Sequence, residues 1–312
     1  MFKQKLIISA ILTLPFFSTD TFAQTPKKIK TIIVDAGHGG HDGGAHGGYE
    51  GGLNSYEKNV TLAISNKLVE ELKKQLPDVK IVPTRTTDIY QAPPEKADIA
   101  NANKGDLFIC IHADAVALQT GRRLISTHLE IRHKVTWIGK GRKKKKQISS
   151  YNVEVPVYQY YKIPSQRSGT SIWLFAPHKT DAKTKAIMGD TDFIAQTSAG
   201  SNYDSIDFST PEKRVLADIY AARYQTKSII LASYVNEEIA KTGREALGIN
   251  QRQKGIWVLQ ATHMPAILVE TGFISNSAEE LRLRDQSYQH KIAIALFNGI
   301  RYYQKKYAAA GI

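Results

Sequence analysis

Two histidines and a glutamate stand where apolar stretches of the chain meet polar ones. His38 follows an apolar, β-branched run at residues 31–34, which is typical of a buried strand. His112 follows a second such run, at residues 106–111, and Glu57 falls in the first turn of a predicted helix. Parallel strands deliver their functional groups at one edge of a sheet, and a helix packed beside the first strand begins near that edge, so we expect these side chains to converge. Two imidazoles and a carboxylate, with a fourth position left to water, form the donor set of a catalytic zinc ion.

A second carboxylate, Glu270, ends another apolar run, at residues 265–269. Zinc lowers the pKa of a bound water to about 7, so a modest base is enough to take the water's proton. Glu270 is the candidate for that base, and it could later pass the proton to a leaving nitrogen. This set of groups suits the hydrolysis of an unstrained amide.

Each of these residues also has a simpler explanation. His38 lies in a glycine-rich loop, residues 37–44, where a histidine is often only a turn residue. Glu57 could be present because a carboxylate in a first turn favours the helix dipole. Glu270 could be a buried carboxylate paired with a local arginine. The metal site is favoured because the donors occur together, each at the end of an apolar element.

Several other chemistries lack their sequence patterns. The loop at residues 37–44 contains neither G-x-G-x-x-G nor G-x-x-x-x-G-K-[ST], which argues against a nucleotide site. The chain has no G-x-S-x-G, the pattern of many serine hydrolases, and no H-E-x-x-H, the pattern of thermolysin-type zinc proteases. Its single cysteine, Cys110, is expected to be a buried small hydrophobe rather than a catalytic thiol.

The first residues have the pattern of a secretory signal peptide. A basic start is followed by an apolar run at residues 6–17 and by small residues near Ala23. We predict a signal peptide at residues 1–23 and a linker at residues 24–29, which makes the protein periplasmic or secreted. The apolar run is shorter than the about 20 residues that span a bilayer. No later segment is long and apolar enough, so we expect no membrane span.

The chain of 312 residues is strongly basic, with a formal net charge of +13. Excess positive charge favours polyanionic surfaces. Because no nucleic-acid recognition motif accompanies the charge, we expect an acidic cell envelope as the partner and no nucleic acid. The basic run at residues 142–146 is either a solvated loop or a contact with an anionic wall polymer or membrane.

Predicted strands and helices alternate along the first 111 residues. This order implies an α/β fold with a mostly parallel sheet and helices on both faces. The first helix, residues 55–76, has an apolar residue at every fourth position and either Ser55 or Asn54 as its cap. Residues 116–168 lose the helical pattern and are predicted to be a β-rich insertion. The remaining predicted strands lie at residues 80–82, 127–137, 148–161, 169–176 and 255–259, and the remaining helices at residues 94–102, 212–242, 277 onwards and 288–303.

Four segments together resemble the signature segments of the zinc-dependent N-acetylmuramoyl-L-alanine amidases, the cell-wall hydrolases used in daughter-cell separation. Residues 84–85 and 101–103 also carry side chains similar to those of that family. The match runs in order from about residue 30 to residue 303. It departs from the family at Gly43, where proline is common, and at Cys110, where serine is common. The four segments are residues 34–40 (VDAGHGG), 56–60 (YEKNV), 108–114 (FICIHAD) and 269–276 (VETGFISN).

The resemblance implies one zinc ion on His38, Glu57 and His112, with Glu270 catalytic. It implies cleavage of the amide between the lactyl group of N-acetylmuramic acid and the L-alanine of the stem peptide. It also implies a single catalytic domain at residues 30–307, with a twisted sheet of about six strands between helices. Three further residues become candidates for substrate binding: Arg85, Asn101 and Asn103.

Some members of this family hold a helix across the active site until a partner protein removes it. The polar segment at residues 181–218 occupies the corresponding place, so we expect an autoinhibitory segment and an activator protein. Five carboxylates in it could reach the zinc ion: Asp190, Asp192, Asp204, Asp207 and Glu212.

Two other functions remain open at this point. A non-catalytic peptidoglycan-binding protein of the same fold would not need a base such as Glu270, which argues against it. A zinc peptidase that cuts within the stem peptide is separated from an amidase only by the resemblance. In each case the expected partner is peptidoglycan, and the protein is expected to be a monomer.

Overall fold

A six-stranded sheet forms the centre of the protein. The computed structural model describes residues 28–176, 183–184, 211–252 and 256–310. In chain order the elements are β1 (Thr31–Ala36), α1 (Glu57–Gln75), β2 (Lys80–Pro83), α2 (Pro93–Ala102), β3 (Leu107–Asp114), β4 (Gln119–Ile138), β5 (Lys145–Ile163), β6 (Thr170–Phe175), α3 (Pro211–Lys241), β7 (Ala246–Arg252), α4 (Trp257–Ala261), β8 (Ala266–Phe273), α5 (Ser277–Arg284) and α6 (Gln286–Ala310).

The strands lie in the order β2-β1-β3-β8-β6-β7. Four of the neighbouring pairs are parallel: β1–β2, β1–β3, β3–β8 and β6–β7. The pair β6–β8 is antiparallel, so β6 and β7 run opposite to the other four strands. The predicted fold class is confirmed: one α/β domain whose mostly parallel sheet has six strands.

Helices cover both faces of this sheet because its central strands are apolar on both sides. Alternate residues of a strand point to opposite faces. On β1, Ile32 packs in the cluster that contains Ile64 of α1 and Leu296 of α6, whereas Ile33 packs in the cluster that contains Ala100 of α2 and Leu259 of α4. Among the described residues, no helix is both long and apolar enough to cross a bilayer.

The predicted β-rich insertion forms one long antiparallel hairpin. Its strands pair from Gln119 with Ile163 at the base to Ile138 with Lys145 near the tip. The prediction of antiparallel strands at residues 127–137 and 148–161 is confirmed, although both strands are several residues longer. The basic run lies at the turn, where a short 3₁₀ helix spans Gly141–Lys143.

Two local predictions are wrong. A strand was predicted at residues 255–259, but residues 257–259 belong to helix α4. The sixth strand of the sheet is β7, which precedes this helix. The first error arose because a run of four or five apolar residues does not distinguish a buried helix from a strand. The strand β7 was missed because it is a half-buried edge strand with few apolar residues. Neither Ser55 nor Asn54 caps α1. Tyr56 is its N-cap residue, and backbone carbonyls of the glycine-rich loop accept the first N–H groups of the helix instead.

The predicted signal peptide and most of the predicted autoinhibitory segment lie outside the described residues. Residue 212 lies on α3, but the side chain of Glu212 is not among those described. The other four predicted carboxylates fall outside the described residues altogether: Asp190, Asp192, Asp204 and Asp207.

Candidate metal centre

The three predicted donors come from elements that meet at the carboxyl edge of β1 and β3. His38 lies in the loop after β1, which the hydrogen bond from Gly37 N–H to Ile111 O (2.9 Å) ties to β3. Glu57 is the first residue of α1, and His112 lies on β3. Glu57 Oε2 is 3.1 Å from His38 Nε2, and Glu57 Oε1 is 2.8 Å from His112 Nδ1. The structure therefore brings the predicted His–Glu–His set together, with one ligand atom of each residue within 4.8 Å of the others.

Hydrogen bonds from neighbouring groups hold two of the donors in place. Asp42 Oδ2 lies 2.8 Å from His38 Nδ1, so Asp42 accepts the Nδ1 proton and leaves Nε2 to face Glu57. Such a carboxylate behind a histidine is a common support for a metal ligand. The backbone N–H groups of Ala45 and Ala113 donate to the two carboxylate oxygens of Glu57, at 2.7 and 3.0 Å.

The backbone around the donors leaves no room for larger side chains. A Cβ atom at Gly37 would lie 2.6 Å from the ring of His112, and one at Gly44 would lie 2.6 Å from Glu57 Oε2. His38 itself has a φ of 59°, a left-handed conformation that few residues with a side chain adopt. Backbone strain of this kind is concentrated at functional sites. Two imidazoles and a carboxylate in this cradle fit the donor preferences of Zn²⁺.

The cluster is electrostatically suited to a cation. Burial raises the pKa of Glu57, but hydrogen bonds and charge from His112 and His38 lower it more, so the carboxylate stays ionised. Burial lowers the pKa of His38, but Glu57 and Asp42 raise it by more, to about 9. At neutral pH the imidazole of His38 is therefore protonated in the metal-free protein. A metal ion must displace a proton from this ring, so the affinity of the site for metal depends on pH. About a fifth to a quarter of each histidine side chain is exposed, which leaves the cluster open to solvent.

Glu270 lies beside the cluster because β8 places it directly opposite His112 on β3. Its side chain is buried, and its Oε2 atom has no hydrogen-bond partner among the described residues. Burial is the main cause that raises its pKa, to about 7, against the opposing charge of His112. Arg252 Nη1 lies 3.5 Å from Glu270 Oε1, so the local arginine of the simpler explanation is also present. The orphaned Oε2 is nevertheless free to accept a proton, as a general base requires.

Arg85 was predicted to bind substrate, but the structure gives it internal contacts. Its buried guanidinium donates to the backbone carbonyls of Ala36 and Gly37, at 3.1 and 2.8 Å, and to that of Lys58. These carbonyls belong to the end of β1, the start of the loop and the first turn of α1. Arg85 therefore supports the backbone that carries His38 and Glu57.

The role of Asn101 and Asn103 in substrate binding stays a prediction, but the structure places neither side chain beside the donors. Asn101 donates to Ala261 O and accepts from His263 N–H, just before β8 begins. Asn103 accepts from Lys80, the first residue of β2. Both side chains thus lie at the amino ends of parallel strands, across the sheet from the donors.

The sequence-based prediction missed two residues of the site. Asp42, four residues after His38, supports that histidine, and its only sequence signal is its place within the glycine-rich loop. Arg252 reaches Glu270 from the end of β7, a strand that was not predicted. No local pattern points to a contact between an edge-strand arginine and a residue on another strand.

Comparison with known proteins identifies the family. The family model described as Amidase_3, N-acetylmuramoyl-L-alanine amidase, matches residues 32–302. The chain belongs to this amidase family. All three donors and Glu270 lie within the matched range.

Relatives of this chain include named bacterial proteins. The probable N-acetylmuramoyl-L-alanine amidase AmiB of Haemophilus influenzae is 28% identical over 290 residues, which cover 93% of this chain and 55% of the relative. The N-acetylmuramoyl-L-alanine amidase AmiC of Escherichia coli O6:H1 is 28% identical over 279 residues, which cover 87% of this chain and 52% of the relative. The chain spans about half the length of these curated relatives.

Solved structures share the fold of this chain. The catalytic domain of CwlV from Bacillus (Paenibacillus) polymyxa superposes with a TM-score of 0.51 at 22% identity, over 89% of this chain and 99% of that one. An N-acetylmuramoyl-L-alanine amidase from Clostridium difficile 630 gives a TM-score of 0.51 at 20% identity, over 89% and 98%. At these identities the likeness establishes the fold alone.

Proposed function

We propose that this chain is an exported zinc-dependent peptidoglycan hydrolase. It cleaves the amide between the lactyl group of N-acetylmuramic acid and the L-alanine of the stem peptide, in wall turnover and daughter-cell separation. The observation that carries this proposal is the convergence of His38, Glu57 and His112 beside Glu270 in a member of an amidase family.

The chain's own residues divide the work of hydrolysis. His38, Glu57 and His112 would hold one zinc ion, which when bound polarises the scissile carbonyl and lowers the pKa of a water. Asp42 keeps the proton of His38 on Nδ1, so that Nε2 is available as a ligand. Glu270 accepts a proton from the attacking water through its unpartnered Oε2.

The proton taken by Glu270 also completes the reaction. The water oxygen bonds to the carbonyl carbon, the bond from that carbon to nitrogen breaks, and Glu270 gives its proton to the departing amine. The products are a free lactyl carboxylate and a stem peptide that begins with L-alanine. A pKa of about 7 suits a group that must both accept and donate a proton near neutral pH.

Digestion of purified peptidoglycan tests this function. Mass spectrometry should find free stem peptides that begin with L-alanine, and chelation of zinc or the substitution Glu270→Ala should abolish them. Glu70→Gln, at an exposed position on α1, is the matched control and should retain full activity. Fragments cut within the stem would reject the amidase in favour of a zinc peptidase. Binding to peptidoglycan without any cleavage would favour a non-catalytic wall-binding protein.

We further propose that the segment at residues 181–218 restrains the enzyme until an activator protein displaces it. The support is its place in the chain, after β6 and into the start of α3, together with its carboxylates. Deletion of residues 185–210 should raise the rate of peptidoglycan cleavage several-fold without changing the products. An unchanged or lower rate in a folded variant would contradict this proposal.

A further inference from the structure

The hairpin of β4 and β5 is a long extension with an anchored base. Its 20-residue and 19-residue strands correspond to a length of about 60 Å at about 3.3 Å per residue. Glu50 fixes the base, because its N–H donates to Lys162 O (2.9 Å) and its carboxylate pairs with Arg123 (2.6 Å). Beyond the base, every residue of β4 from Arg122 to the tip is exposed.

One face of the outer hairpin, called the apolar face below, carries a row of large apolar side chains that is open to solvent. Residues paired across antiparallel strands share a face, and every second residue along a strand points the same way. Val135 pairs with Ile148, so these two lie on one face with Leu129, Ile131 and Trp137. The residues of β5 that pair with the last three are polar: Glu154, Asn152 and Lys146. Between 48% and 67% of each of the five apolar residues is exposed. A soluble protein rarely exposes such a row of large apolar side chains without a binding role.

The same part of the hairpin is strongly basic. Residues 131–153 contain no aspartate or glutamate and eight lysines and arginines. Six of the eight are concentrated at the turn and at the start of β5. The eight residues are Arg132, Lys134, Lys140, Arg142, Lys143, Lys144, Lys145 and Lys146.

We propose that this hairpin docks the protein onto a bilayer surface rich in anionic phospholipid. The apolar face, with Trp137, rests at the boundary between headgroups and acyl chains, and the cations of the tip contact lipid phosphates. Lysine stems allow the ammonium groups to reach the headgroups while the apolar face is buried. The hairpin lies in the interface and does not span, because the open edges of two strands carry backbone groups that hydrocarbon cannot satisfy.

A lipid surface accounts for both features of the hairpin, whereas other occupants account for one. An anionic wall polymer would neutralise the tip but would leave Trp137, Leu129 and Ile131 in water. A second copy stacked face to face would cover these side chains but would bring two basic tips into one assembly, where like charges repel. This inference does not depend on the metal centre or on the proposed amidase activity.

Vesicle sedimentation with residues 24–312, the predicted mature chain, tests the proposal. The protein should pellet with vesicles that contain 30% phosphatidylglycerol, and should not pellet with pure phosphatidylcholine. The binding should weaken as NaCl is raised from 50 to 500 mM, because salt screens the attraction. Emission of Trp137 should shift to shorter wavelength on binding, and the shift should be lost in Trp137→Ser.

Charge variants separate the tip from the overall basic charge. Changing lysines 143–146 to glutamine should lower the partition coefficient at least about 100-fold, given the attraction of each cation near an anionic surface. Changing the same four residues to arginine should preserve binding. The matched control changes four exposed lysines elsewhere to glutamine and should bind as the parent does: Lys73, Lys74, Lys305 and Lys306.

Other results would overturn the proposal. Equal loss of binding in the control variant would show that binding depends on the net charge of the protein and not on the hairpin tip. Vesicle binding without a shift in Trp137 emission would remove the role of the apolar face. Lysine-dependent pelleting with purified wall polymer, and none with vesicles, would assign the tip to the wall. A concentration-dependent dimer that Trp137→Ser abolishes would show that a second copy covers the apolar face.

Discussion

At the scale of single residues, Glu270 is a carboxyl group whose ionised form is disfavoured by its surroundings. Its folded pKa is about 7 and its ordinary value is 4.5, chiefly because burial disfavours the ionised form. A carboxyl group with a raised pKa favours the folded state below its unfolded pKa, and that contribution is lost as pH rises through the folded pKa. In the metal-free protein, the ionised Glu270 therefore costs stability above pH 7.

We predict that Glu270→Gln stabilises the metal-free protein at pH 8 while abolishing activity. The expected gain in the free energy of unfolding is about 3 kcal/mol, since the pKa rises from 4.5 to about 7 and each pKa unit corresponds to about 1.4 kcal/mol. At pH 4 both forms are neutral, so the gain should vanish. Denaturant unfolding at the two pH values, in the presence of chelator, measures this. Equal unfolding midpoints for the parent and Glu270→Gln at pH 8 would contradict this prediction. They would show that Arg252 and solvent fully compensate the charge of Glu270.

At the scale of elements, the end of β1 is held by a buried ion pair with α2. Lys96 Nζ lies 3.0 Å from Asp35 Oδ1 and donates to Ala36 O at 2.6 Å. Burial raises the pKa of Asp35, but Lys96 and hydrogen bonds from Cys110 and Thr84 lower it by more. Cys110 is thus buried as expected, and its thiol donates to this carboxylate. Asp35 lies three residues before His38, so the ion pair fixes the end of β1, where the glycine-rich loop starts.

We predict that Lys96→Met destabilises the protein by about 3–5 kcal/mol at pH 7, because it leaves the Asp35 carboxylate buried without a cation. The added change Asp35→Asn should restore much of this loss. In Lys96→Met, burial without the cation raises the pKa of Asp35, so this carboxylate takes up a proton as the pH falls. The difference between parent and Lys96→Met should therefore shrink towards pH 4. Unfolding curves measure both effects. The exposed Lys73→Met is the control, and a loss of similar size there would contradict the argument.

The elements also show what the sequence could and could not predict. Apolar β-branched runs located β1, β3 and β8, and the change from apolar to polar residues at their ends pointed to His38, His112 and Glu270. These signals are local, so they are visible in one chain. Asp42 and Arg252 escaped because their importance comes from contacts between separate segments. Similarity to family segments at residues 101–103 did not reveal which edge of the sheet these residues occupy, since a shared position in a sequence does not carry that information.

At the scale of the whole molecule, the three donors come from elements that are far apart in the sequence and adjacent in the fold. His38 follows β1, Glu57 begins α1, and His112 ends the apolar part of β3. An ion bound to all three links these elements in the folded state only. A ligand that binds the folded state alone raises the free energy of unfolding by about 2.7 kcal/mol at 100 times its dissociation constant.

We therefore predict that zinc raises the unfolding midpoint of the full chain by several degrees, and that chelator reverses the rise. His38→Ala and His112→Ala should abolish this response, because each removes one of the three ligands. His290→Ala, at an exposed position on α6, is the matched control and should respond as the parent does. Thermal unfolding with and without zinc measures the response independently of catalysis. Identical midpoints in zinc and in chelator, together with a metal content near zero in the native protein, would mean that these side chains converge for a reason other than metal binding.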